Sequence, residues 1–108
     1  MSDIRVLLLG PPEVYQDDRQ VSIPQELPRV LLYFLASRGS MVERETLLTL
    51  LWEDLGQPSS RKLLRETLSK LRNLFPKTEY LHTSANLVGL NFNHFHVDQL
   101  EFLDLIDR

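Results

Sequence analysis

The chain has 108 residues, 43% of them hydrophobic, enough for one buried core and too few for two domains of ordinary size. It has no cysteine, which excludes disulfides, thiolate zinc sites and a thiol nucleophile together, and no apolar run nears the roughly 20 residues of a membrane span. The formal net charge of −3 argues against a polyanionic partner only until its distribution is read.

Ile4, Val6 and Leu8 alternate with Arg5, Leu7 and Leu9, the two-residue period of a strand, and Gly10-Pro11-Pro12 ends it. Val14-Tyr15 and Val21-Ser22-Ile23 predict two more extended pieces around Asp17-Asp18, whose side chains tolerate a tight turn. Residues 3–23 should therefore form a small antiparallel sheet. Pro28 suits a helix's first turn, and Val30, Leu31, Phe34 and Leu35 recur at helical spacing up to Gly39, a left-handed stop. A second helix is expected from about Glu43 to Glu53, burying Leu47, Leu48, Leu51 and Trp52, and Gly56-Gln57-Pro58 closes the connection after it. Ser59 or Ser60 should cap a third helix over about 60–75, where Leu64, Leu68, Leu71 and Phe75 make one apolar stripe. Tyr80 to Ser84 and Leu87 to Asn91 then predict a hairpin turning at Ala85-Asn86, and residues 92–108 predict the truncated start of a following helical domain. The absence of a basic start or small-residue cleavage site at the N-terminus predicts a cytoplasmic location.

Six of the twelve basic residues, Arg61, Lys62, Arg65, Lys70, Arg72 and Lys77, crowd the third helix and its end, with Glu66 as the sole acid among them. Two helices joined by a turn, the later one basic and followed by a hairpin, predict a helix-turn-helix with a wing whose third helix enters the major groove of double-stranded DNA. The competing reading is a solvated charged face on a helical domain.

The segments IRVLLLGPPEVYQDDRQVSI, MVERETLLTLLW, SRKLLRETLSKLRNLF and VDQLEF, with a leucine-rich helix between the first two, resemble in this order the DNA-binding start of the antibiotic-regulatory-protein (SARP) and bacterial transcriptional activator family. The resemblance implies an α+β fold: an OmpR/PhoB-type winged helix-turn-helix over residues 1–91, with an N-terminal antiparallel sheet, three helices and a C-terminal β-hairpin wing. It further implies that residues 92–108 begin an activator domain, that DNA is bound at direct repeats with two copies side by side, and that RNA polymerase is recruited. Aligned on the family's recognition helix, Lys62, Glu66, Ser69 and Lys70 point into the groove, while Arg61, Arg65 and Arg72 contact phosphate or the groove edge. Lysine donates to guanine and Glu66 accepts from cytosine N4, unless Glu66 simply pairs with Lys62 or Lys70 four residues away. Trp52 matches a tryptophan near the DNA backbone or else packs in the core. Glu53, Asp54 and Leu55 match the turn that carries activation.

Two departures from the family pattern stand out. Glu43 occupies the start of the second helix where serine is usual, which weakens the cap. The wing reads Leu87-Val88-Gly89-Leu90 in place of a Gly-Tyr-Arg ending, and no Lys or Arg occurs between Lys77 and Arg108, leaving Thr83, Ser84 and Asn86 either to hydrogen bond phosphate or to form an ordinary polar turn. His94, His96 and Asp98 would share a strand face as a metal site, but plain linker is the expectation there and no metal or other cofactor is expected. With no nucleophile elbow, phosphate loop or glycine-rich fingerprint, no enzymatic activity is expected. The rival to DNA binding is a winged helix that serves as a protein-interaction module.

Overall fold

A computed structural model describes residues 3–52, 57–75 and 80–107, without the side chains of Trp52, Gln57 and Pro58. The alternation at the N-terminus resolves into β1 (Ile4–Leu7), which buries Ile4 and Val6, followed by β2 (Glu13–Gln16). Asp17 and Asp18 both adopt positive φ, 52° and 66°, as a two-residue hairpin turn requires. That turn sends the chain straight back, so the third strand is β3 (Arg19–Gln20) and not Val21–Ile23 as expected. Val21 still donates its amide to Val14 O at 2.8 Å before Pro24 intervenes.

Helix α1 (Glu26–Arg38) carries Pro28 in its first turn and ends on Gly39 at φ 69°, whose amide returns to Leu35 O. Its buried face is Pro28, Leu31, Leu32, Leu35 and Ala36; of the expected core residues Val30 stays exposed and Phe34 half-buried. A short β4 (Val42–Glu43) precedes α2 (Arg44–Trp52), so Glu43 is a strand residue and not the first of the helix. Helix α3 (Gln57–Leu74) begins two residues before the serines expected to cap it, with Pro58 in the first turn, where its missing amide hydrogen costs nothing. Leu64, Leu68, Leu71 and Phe75 are all buried, at most 4% exposed.

The hairpin forms as β5 (Leu81–Thr83) and β6 (Leu87–Leu90), and β4 pairs with the outer side of β6 to give a three-stranded sheet in the order β4-β6-β5. Gly89 sits where a Cβ would lie 2.5 Å from Met41 Sδ and 3.1 Å from its Cα, so the glycine permits β4 to approach.

The expected domain junction at residue 91 meets a further strand, β7 (Phe95–Val97), which pairs in parallel with β1 and completes a four-stranded mixed sheet in the order β3-β2-β1-β7. Phe95 and Val97 are 2% exposed, and Phe95 lies edge-on to Phe75 and Tyr80 at ring separations of 5.7 and 6.1 Å. Helix α4 (Asp98–Ile106) follows and buries none of its residues. It is held at its start, where Asp98 accepts the amides of Leu8 and Leu9 at 2.7 and 3.2 Å. The described residues thus form a mixed α+β body of four helices and two sheets around one core that runs from Ile4 and Val6 through α1 and α3 to Phe95. None of these helices is long and apolar enough to cross a membrane.

Candidate nucleic-acid interface

The apolar stripe of α3 determines where its charges go. At about 100° per residue, with Leu64, Leu68 and Leu71 turned inward, the outward midline is Lys62, Glu66, Ser69 and Asn73, all exposed. Lys70 lies to one side of that midline, and Arg61, Arg65 and Arg72 lie to the other. The seven charged and polar side chains singled out on this helix are therefore on one continuous surface, as expected. Asn73 joins them, a residue not picked out from the sequence although its spacing from Lys62 and Ser69 was available.

The flanking arginines are not equivalent. Arg61 Nη2 bonds Glu45 Oε1 of α2 at 2.6 Å, and Arg72 Nη2 donates to Thr83 Oγ1 of β5 at 2.5 Å. With side chains 53% and 62% exposed, the Arg61–Glu45 pair is the kind worth at most about 1 kcal/mol, so Arg61 exchanges Glu45 for another anion cheaply. Lys62, Arg65, Glu66 and Lys70 form no ion pair among the described residues, so Glu66 is not paired with Lys62 or Lys70 in this structure.

The hairpin turn is built largely from its own polar groups. Ser84 Oγ accepts the amides of Leu87 at 3.0 Å and Asn86 at 3.4 Å, which occupies it in closing the turn, and Thr83 is engaged by Arg72. Asn86 remains exposed, and its carbonyl takes the Arg44 amide at 2.8 Å. Arg44 also donates from Nε to Ser84 O at 2.8 Å, bringing the first residue of α2 to a turn forty positions later. Sequence reasoning passed over Arg44 because nothing local links residue 44 to residue 84. A groove of about 430 Å³ lies here, lined by Glu43, Arg44, Glu45, Arg61 and the turn residues 85–87. Trp52 ends α2 with its side chain outside the description, and Glu53, Asp54 and Leu55 lie outside the described residues altogether.

Beside β1 and β7, His94 and His96 converge on one carboxylate: Asp3 Oδ2 is 2.8 Å from His96 Nε2, and Asp3 Oδ1 is 3.5 Å from His94 Nδ1. The His96 hydrogen bond is the main cause that holds the Asp3 carboxyl below its ordinary pKa; desolvation opposes it, and the hydrogen bond and charge of His94 add to the lowering. Asp98 does not join them, since it starts α4 and turns to the amides of Leu8 and Leu9 just after β1, which corrects the expectation of one shared strand face. Among the described residues no group of three or more His, Cys, Asp or Glu side chains is arranged to hold a metal ion. Compared with protein-family models, with curated proteins and with solved structures, the chain has no match.

Proposed function

We propose that this chain is a winged-helix module that binds double-stranded DNA in sequence-specific fashion, without catalysis, as the DNA-binding part of a cytoplasmic transcription activator related to the SARP and bacterial transcriptional activator family. The observation that carries the reading is the outward face of α3, where five cations surround one acid on a helix whose other side is sealed into the core. From Lys62 to Asn73 the midline spans about 16 Å at 1.5 Å per residue, close to the rise of five base pairs at about 3.4 Å each. Lys62, Glu66, Ser69, Lys70 and Asn73 then address base edges, and Arg61, Arg65 and Arg72 address phosphate. The hairpin β5–β6 is the wing, direct repeats are the target, and Glu53, Asp54 and Leu55 form the contact for RNA polymerase.

Binding to a duplex pool across salt concentrations tests this. With three phosphates neutralised by Arg61, Arg65 and Arg72, affinity should fall roughly 40-fold between 50 and 200 mM salt. Affinity independent of salt, or no retention of DNA at 50 mM, would defeat the reading. One observation favours a protein partner instead: α4 exposes Phe102, Leu105 and Ile106 at 48%, 65% and 62%. A partner bound through that face would be insensitive to salt, so the same titration separates the two.

A further inference from the structure

Resting on the DNA-binding reading, we propose that Arg44 is a phosphate-contacting residue of the wing, supplying from the start of α2 the positive charge that the hairpin itself does not encode. No Lys or Arg lies between Lys77 and Arg108, so β5, the turn and β6 carry no lysine or arginine of their own. The fold brings one to the turn. The amide of Arg44 bonds Asn86 O and its Nε bonds Ser84 O, both at 2.8 Å, so the guanidinium is anchored to the turn backbone through one edge. That leaves the two terminal nitrogens, which make no ion pair or hydrogen bond among the described residues, as donors in the planar fork that suits a phosphodiester.

The groove beside it also holds Arg61, from the arginine edge of α3. A duplex lying on the α3 midline and passing over that edge reaches Arg61 and then Arg44, so one strand's backbone would run from the helix to the turn. Two acids face the same space. Glu45 is occupied by Arg61, and exposed Glu43 sits in β4 opposite Leu87. Their charge opposes a phosphate here and sets a limit on what Arg44 contributes, which makes Glu43 an independent probe of whether phosphate comes this close.

The test uses the full chain on a selected duplex, with salt-dependent binding measured for Arg44→Gln, Arg44→Lys and Glu43→Gln, each confirmed folded by circular dichroism. Arg44→Gln should bind about five- to tenfold more weakly at low salt, with the log–log salt slope reduced by about 0.9, the value of one lost phosphate contact. Arg44→Lys should keep that slope, because it keeps the charge, and Glu43→Gln should tighten binding about twofold. Weaker binding by Arg44→Gln at an unchanged slope would mean that Arg44 only shapes the turn, and would overturn the proposal while leaving the DNA reading intact. Unchanged affinity in both Arg44→Gln and Glu43→Gln would overturn it in the same way. Failure of the unaltered chain to bind any duplex would overturn the reading and the proposal together.

Discussion

Helix α3 and the hairpin β5–β6 would meet the same ligand by opposite means. Every group that α3 offers belongs to one contiguous segment, sorted inside from outside by a periodic apolar stripe. The hairpin offers almost nothing of its own: Thr83 and Ser84 are consumed in holding it, and its cations, Arg44 and Arg72, come from two different helices. An interface written in one helix tolerates change in its neighbours, whereas one assembled from several elements fails when any of them shifts.

The largest expected effect follows from the stripe. Leu68→Ala and Leu71→Ala should each destabilise the fold by about 2–5 kcal/mol in denaturant melts, while Leu87→Ala on the hairpin, a side chain 37% exposed, should cost far less. Equal losses would mean that α3 is not the better-anchored element. Next comes Gly89→Ala, whose added methyl would lie 2.5 Å from Met41 Sδ and 3.1 Å from the Met41 Cα. Overpacking of this kind costs about 1–3 kcal/mol. Because β4 and the start of α2 move with it, DNA binding should weaken in protein that remains folded; unaltered binding would show that the position of Arg44 is immaterial.

A subtler distinction lies within α3. Lys62→Ala and Lys70→Ala should reduce discrimination between selected and random duplexes by about tenfold, whereas Arg72→Ala should weaken both alike. Competition binding decides, and parallel losses for all three variants would erase the division between base-reading and backbone-holding groups. Smaller again is Glu45→Gln, which frees Arg61 from an exposed ion pair and should tighten DNA binding by two- to threefold, about 0.5 kcal/mol. Weaker binding would show that Glu45 orients Arg61 rather than competing for it.

The smallest effect concerns the Asp3–His94–His96 cluster. Because Asp3 has a lowered pKa in the folded chain, its contribution is fully present above the ordinary carboxylate value of about 3.9 and is lost as pH falls through the lowered one. Asp3→Asn should therefore melt slightly below the unaltered chain near neutral pH, and the difference should vanish toward about pH 2. A gap that widens on acidification would refute this sign.

The sequence by itself determined those elements whose information is local. The two-residue period of β1, the glycine stop of α1, the i, i+4, i+7 stripe of α3 and the cations off that stripe were legible because neighbours along the chain share the geometry that sorts them. The hairpin was legible for the same reason, its strands flanking a polar turn. Only the tertiary structure decided what depends on pairing across the chain. The segment 95–97 carries three residues of unremarkable pattern and reads as linker, yet it is a core strand because β1, ninety residues earlier, has a free edge to accept it. Glu43 left the second helix because Leu87 pairs with it, and Arg44 became a residue of the hairpin because backbone carbonyls of residues 84 and 86 accept its hydrogen bonds. Such contacts are set by the closure of sheets over long sequence separations, and no short-range periodicity records them.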